Sequence, residues 1–237
     1  MLRPAAICLL WLGTLSGTPA AAQIAAPAPP GPYVIDVRGA TIALPRDPAF
    51  FPPVPTGTII PSRGYGIEVG AHVYRIRLGP GRLGIGASVL RVRGTASPAQ
   101  PTSGSTSGST STTSAPATRP DVDATLTIFA PQLSFNFGSA DGWSYVSAGA
   151  GNAHVSTGTS AFGGAGSGVP PTTASTIDSE TLSSVNFGGG ARWFAKSRLA
   201  FSFDLRFHLL SASGGSDTSP ATPGIRLMSA SAGLSLR

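Results

Sequence analysis

The chain has 237 residues, of which 41% are hydrophobic and only 11% are charged, and its 31 glycines and 22 prolines disfavour a helical protein. No stretch after residue 20 approaches the roughly 18 apolar residues of a membrane helix, so the chain could cross a membrane only as a barrel. The net charge of +6 comes from dispersed basic residues, so we expect no nucleic-acid partner.

The first 22 residues have the features of a cleaved secretory signal. Arg3 supplies a positive start, Ala5–Leu15 forms an apolar run too short to span a bilayer, and Ala20–Ala22 offers small residues for cleavage. The only cysteine, Cys8, lies inside the apolar run. We therefore predict a signal peptide over residues 1–22 and a mature chain without disulfides.

A Pro/Ala-rich lead-in over residues 23–32 precedes a long region of alternating polarity. Strict alternation predicts strands with two different faces. Beyond Tyr74 the phase is interrupted, which is consistent with a bulge. The pattern predicts eight strands, over residues 33–44, 64–78, 82–94, 123–137, 143–154, 182–195, 199–211 and 225–237. Each is long enough for the roughly 9–11 residues of a tilted transmembrane strand.

The clearest alternation lies in the seventh of these segments. Its apolar side is formed by Leu199, Phe201, Phe203, Leu205, Phe207 and Leu209, and its polar side by Ser202, Asp204, Arg206 and His208. Two interpretations follow from this pattern. In a soluble sheet the apolar side would form the core, whereas in a membrane barrel it would face lipid and the charges would lie inside.

The connections between the predicted strands alternate between long and short. The long ones cover residues 45–63, 95–122, 155–181 and 212–224, with short turns between them. Outer-membrane barrels sort their connections in this way, with short turns in the periplasm and long loops outside, and a soluble sandwich has no reason to do so. Residues 33–237 are therefore predicted to form an eight-stranded antiparallel up-and-down β-barrel in the outer membrane of a Gram-negative-type bacterium. We expect outer-membrane lipid around it and both termini in the periplasm.

One stretch also resembles a known family. Val185–His208 reads VNFGGGARWFAKSRLAFSFDLRFH, with a G-G-G-x-R-aromatic strand, a polar turn and an aromatic-D-aliphatic-R strand. It resembles the outer-membrane β-barrel domain family of small OmpA-type proteins, and Pro131–Gly138 and Gly142–Gly151 have the same character. The resemblance implies an eight-stranded barrel that the barrel-assembly machinery folds into the outer membrane.

The predicted inward face of the barrel carries a candidate lumenal polar network. An eight-stranded barrel is only wide enough inside to be filled by side chains, so opposite charges there must pair. The candidates are Asp36, Arg38, Glu68, His72, Arg192, Asp204, Arg206 and His208. We favour a structural role for these pairs, and the alternative is the lining of a narrow ion path.

Five aromatic residues are predicted to lie at the membrane interfaces, because their rings are apolar and each can also form a hydrogen bond. They are Tyr33, Tyr65, Trp143, Tyr145 and Trp193.

The sequence offers no catalytic, metal or cofactor site. His208 and Ser211 differ in strand parity and should face opposite sides, so they cannot act together as base and nucleophile. The mature chain has no cysteine and three scattered histidines, which predicts no metal site.

We therefore predict a non-enzymatic barrel with a structural or surface-interaction role and an undefined external ligand. Two alternatives stay open. The first is a narrow channel for small solutes or ions, and the second is a soluble periplasmic β-barrel that binds an apolar ligand.

Overall fold

A computed structural model describes residues 32–47, 50–51, 58–97, 120–138, 141–161, 173–179, 181–215 and 221–237. Its strands are β1 (Tyr33–Ala43), β2 (Arg63–Leu78), β3 (Gly81–Ala96), β4 (Val122–Gly138), β5 (Gly142–Thr159), β6 (Ser175–Asp178), β7 (Leu182–Phe194), β8 (Leu199–Leu210) and β9 (Ile225–Leu236). In the part of the chain described, no helix has the length and apolarity to span a bilayer. The predicted signal peptide and the lead-in before Pro32 lie outside these residues.

Eight of the strands close into one antiparallel barrel. Neighbours in the chain pair in turn, β5 pairs directly with β7, and β9 returns to β1 over the register Ile35↔Leu236 to Ile42↔Ser229. The short β6 lies outside this circle and pairs with residues 156–159 of β5. The predicted eight-stranded up-and-down barrel is confirmed.

The two ends of the barrel differ. We call one the turn end, because the short β2–β3, β4–β5 and β7–β8 connections lie there together with the start of β1 and the end of β9. The opposite end, which carries the four long connections, is called the loop end. Gly79 in the β2–β3 turn has a φ of 57°, a left-handed conformation that favours glycine over residues with a side chain.

Two strand details refine the sequence-based prediction. The predicted bulge is present, because the β2–β3 register shifts so that Arg75 and Ile76 together face Leu83. β5 continues to Thr159 rather than ending at residue 154, and the predicted 155–181 loop therefore begins later and contains β6. The extension reads Val-Ser-Thr-Gly-Thr, which lacks the alternation in polarity on which the prediction depended.

The polarity of the barrel wall reverses along β4. Toward the turn end, Phe129 and Leu133 are exposed on the outside while Gln132 is buried inside. Toward the loop end, Leu126 is buried inside while Thr125 and its outward neighbours are polar. An apolar exterior around a polar interior is the arrangement of a barrel in lipid, and the reverse is that of a protein in water. The loop-end part of the wall therefore projects beyond the apolar band.

Candidate functional site

The orientation of β8 decides between the two interpretations of its alternating sequence. Phe201 and Phe203 are 61% and 44% exposed on the outside of the barrel, whereas Asp204 is 1% exposed inside it. The alternative of a soluble barrel with this phenylalanine side as its core is therefore wrong. The rings form part of a continuous apolar exterior, which is the surface that hydrocarbon would cover.

All eight predicted lumenal residues are buried inside the barrel. Six of them are charged and form what we call the ionic layer: Asp36, Arg38, Glu68, Arg192, Asp204 and Arg206. Three carboxylates face three guanidinium groups, so the layer is neutral as a whole. Removing charges from water is costly, and the layer offsets that cost through close pairing and many hydrogen bonds.

Asp36 is the most highly coordinated carboxylate of the ionic layer. Arg192 binds it in a bidentate manner, with Nε 2.9 Å from Oδ1 and Nη2 2.7 Å from Oδ2. Nη2 of Arg38 lies 2.8 Å from Oδ2, and the Ser235 hydroxyl donates to Oδ1. These contacts join β1, β7 and β9 across the lumen, and bidentate arginine–carboxylate pairs are among the strongest hydrogen-bonded contacts in proteins.

The other two carboxylates are paired through Arg206 and Arg38. Arg206 donates from Nε and Nη2 to Asp204, at 3.2 and 3.0 Å, and the Tyr145 hydroxyl donates to the same carboxylate at 2.7 Å. Glu68 lies 3.4 Å from Nη1 of Arg38 and 4.0 Å from Nε of Arg206. The guanidinium of Arg192 also stacks on the Tyr145 ring, 4.0 Å from its centroid.

Neutral polar side chains extend the ionic layer. Nη1 of Arg206 donates to Oδ1 of Asn186 at 2.8 Å, and the Gln132 amide donates to the same oxygen at 3.2 Å. Oε1 of Gln132 lies 3.1 Å from Nε2 of His72, which brings that predicted residue into the network. The sequence analysis did not single out Gln132, although it lies on the polar side of a clearly alternating segment.

Two of the predicted interface aromatics do not lie at an interface. Trp143 and Tyr145 are buried inside the barrel, at 1% and 3% exposure, so that prediction is wrong for both. The outward positions of β5 near them are Ser144, Val146 and Ala148, all smaller than the two aromatic residues, which fill the lumen instead. The expected pattern of an apolar outside and a polar inside therefore gives the wrong direction for this strand.

The other three aromatics are exposed on the outside of the barrel. Tyr33 and Trp193 lie at the turn end, and Tyr65 lies toward the loop end.

Apolar side chains close the lumen on both sides of the ionic layer. At the turn end, Val34, Tyr74 and Trp143 form a buried cluster against Phe194. At the loop end a larger buried cluster includes Leu126 and, from the segment after β1, Phe50 and Phe51. The ionic layer is therefore enclosed between two apolar layers in the part of the chain that the structure describes.

The contact between His208 and Ser229 does not have the geometry of a catalytic site. Nε2 of His208 lies 3.0 Å from the Ser229 hydroxyl, not near Ser211, whose hydroxyl accepts from the Ser183 amide. Both members of the pair are buried, and the histidine Nδ1 has no hydrogen-bond partner. A base in a catalytic triad needs an orienting group at that atom and a substrate at the serine.

No metal-binding group of three or more histidine, cysteine, aspartate or glutamate residues occurs among the residues described.

The outer wall near the loop end carries an exposed ion pair. Nη2 of Arg93 lies 2.9 Å from the Asp123 carboxylate, and the Thr95 hydroxyl donates to the same carboxylate at 2.7 Å. The hydrogen bond from Arg93, followed by that from Thr95, lowers the pKa of Asp123 below its usual value. This pair lies above the apolar band, where a surface ion pair contributes little to stability.

No family model and no curated protein sequence matches this chain. Among solved structures, the chain is similar to Neisserial surface protein A, with 12% identity and a TM-score of 0.47 over 87% of this chain and 97% of that one. Ail, the attachment invasion locus protein of Yersinia pestis, aligns with 12% identity and a TM-score of 0.42 over 86% and 95% of the two chains. The outer membrane protease OmpT from Escherichia coli aligns with 11% identity and a TM-score of 0.44 over 74% and 64%.

Proposed function

We propose that this chain is an integral outer-membrane barrel that stabilises the cell envelope and presents its loop end at the cell surface, without catalysis or transport. The observation that carries the proposal is the inverted wall, with phenylalanine and leucine side chains outside and a neutral ionic layer inside. In this proposal the turn end lies in the periplasm, together with the start of β1 and the end of β9. The barrel-assembly machinery inserts the chain.

The enclosed ionic layer argues against a permeable lumen. Its charged groups are at most 4% exposed, and apolar clusters cover it at both ends. A solute would have to displace these clusters and separate buried ion pairs, and leaving one partner of such a pair uncompensated costs about 3–5 kcal/mol. We therefore expect no steady conductance.

The projecting loop end supports a role at the surface. β3, β4 and β5 have 16, 17 and 18 residues, more than the roughly 9–11 that a tilted strand needs to cross the bilayer. The outward side chains there are polar, among them Arg91 and Thr127. This part of the barrel and its loops would be available to external partners.

Two measurements test the proposal. The full chain, expressed with its own leader in a Gram-negative host, should be recovered in the detergent-extracted outer membrane and should run on gels as a folded form that shifts on heating. Recovery in the soluble periplasm would contradict the membrane assignment. In planar bilayers the folded protein should give no stepwise currents, and reproducible single-channel steps from it would favour the channel alternative.

A further inference from the structure

The charges of this chain are distributed unevenly between the ends of the barrel. The ionic layer inside is neutral. Counted from the sequence, the loop-side segments 44–63, 91–123, 160–181 and 211–226 together carry six basic and six acidic residues and are neutral as well. The turn end carries one acidic residue, Asp141, and six basic ones, which we call the basic turn face: Arg75, Arg77, Arg82, Lys196, Arg198 and Arg237. Apart from Arg3 in the predicted leader, the excess positive charge lies entirely at the turn end.

Part of the basic turn face borders the apolar exterior. The bulge in β2 brings Arg75 beside Ile76, opposite Leu83, at the edge of the barrel. Ile76 and Leu78 are each 58% exposed, and the exposed ring of Trp193 lies at the same end. Arginine side chains in such a position can lay their stems along apolar surface and extend their charged groups toward the head-group region.

Two arginines of this face lie directly opposite each other without a counter-charge. Arg77 and Arg82 are register partners in β2 and β3, where like charges destabilise a strand pair. Nε of Arg82 is buried and has no hydrogen-bond partner, and the next residue across β4 is the neutral Asn136. None of the ion pairs formed within the described residues includes Arg75, Arg77 or Arg82. The register with buried Asn136 places both arginines on the lumen side of the wall, at the mouth of the barrel. An anion at this rim, within reach of their guanidinium groups, would relieve their repulsion.

We propose that the basic turn face binds the phosphate groups of acidic glycerophospholipids in the leaflet at the turn end. A lipid phosphate offers oxygens that suit the arginine fork, and its acyl chains would lie against the neighbouring apolar wall. The apolar wall beside Arg75 favours a lipid over a soluble polyanion, which would need charge alone. The inference goes beyond the proposed function by naming a lipid class, and it rests on the barrel being embedded in a bilayer.

The test measures lipid selectivity in reconstituted bilayers. The mature chain is inserted into phosphatidylcholine vesicles that contain a trace of spin-labelled phosphatidylglycerol or, in parallel, spin-labelled phosphatidylcholine. We expect labelled phosphatidylglycerol to associate with the protein about fivefold more strongly than labelled phosphatidylcholine. This factor corresponds to about 1 kcal/mol, the contribution of one basic residue near an anionic surface. The preference should fall as salt is raised. Equal association of the two labelled lipids would overturn the inference.

Matched variants locate the effect. R75Q/R77Q/R82Q should reduce the preference to near unity, whereas R63Q/R91Q/R226Q, which removes the same charge from the loop side, should leave it unchanged. An equal reduction by both triple variants would show a general effect of net charge and would overturn the assignment to the turn end. Should the first variant fail to fold, the single variants R75Q and R77Q carry the same comparison.

Two further outcomes separate the possible failures. A wild-type chain that does not insert into the vesicles would contradict the proposed function itself. A chain that inserts, shows no lipid preference and loses binding to soluble polyphosphate in R75Q/R77Q/R82Q would leave the membrane barrel intact and identify a soluble polyanion as the ligand instead.

Discussion

Replacing Arg192 by methionine is the sharpest test of the ionic layer. The substitution keeps an unbranched side chain but removes the guanidinium that binds Asp36 in a bidentate manner and stacks on Tyr145. Arg192 is fully buried, so no water replaces the lost hydrogen bonds. Breaking a buried ion pair costs about 3–5 kcal/mol, and we expect the lower end of that range because Arg38 still contacts Asp36.

The measurement is equilibrium urea unfolding in lipid vesicles, followed by the folded, heat-modifiable gel band. The matched control is R93M, which breaks the exposed Arg93–Asp123 pair above the apolar band and should cost about 0–1 kcal/mol. Similar losses in the two variants would refute the argument that the layer is enclosed and poorly hydrated.

A double variant separates charge balance from packing. R192M leaves one negative charge in excess in the layer, and D36N/R192M restores neutrality. We expect the double variant to recover about 1–3 kcal/mol relative to R192M, within the usual range of coupling between contacting residues. A double variant that is less stable than R192M by the full cost of D36N alone would show that the two side chains act independently.

The remaining predictions concern the apolar surfaces. L205R places a charge on the apolar exterior and should cost about 2–4 kcal/mol, whereas T127R on the same outer wall beyond the band should cost about 0–1 kcal/mol, both measured by the unfolding assay above. Equal losses of stability in the two variants would contradict the inference that the outer wall passes from hydrocarbon to water along the strands. F50A/F51A should open the loop-end cluster, so that the thiol of L126C reacts with a water-soluble maleimide in that background and stays protected in the parent chain. Protection in both backgrounds would show that Phe50 and Phe51 do not close the lumen.

The strands could be predicted because two media act on opposite sides of one wall. In β8 every second side chain is large and apolar, and the residues between them from Ser202 to His208 are polar, so both the strand and its orientation follow from the sequence. In β5 the outward residues near the turn end are smaller than the inward Trp143 and Tyr145, which fill the lumen, so the sequence predicts the strand but not its direction. The size of the side chains, not their polarity, decides which residues of β5 face the lumen, because a narrow barrel must be filled.

The pairing inside the lumen was beyond the sequence for a different reason. Asp36 and Arg192 are both among the predicted lumenal residues. The sequence does not predict that they bind each other across a separation of 156 residues. That contact depends on the strand tilt and register of the closed barrel, which a single sequence does not specify. Tyr145, by contrast, donates to Asp204 and could have been placed in the network only once the direction of β5 was known.

The sequence does indicate the level at which the barrel wall leaves the apolar band. In β4 the large apolar residues stand at odd-numbered positions between the turn end and Phe129. From Ile128 to the loop end they stand at even-numbered positions, so two apolar residues are adjacent where the pattern changes. β3 has the same change at Val89 and Leu90. The register pairs Val89 with Phe129 and Leu90 with Ile128, so the two changes lie at one height on neighbouring strands. Independent local patterns would have no reason to coincide, whereas a single flat boundary between hydrocarbon and water requires them to do so.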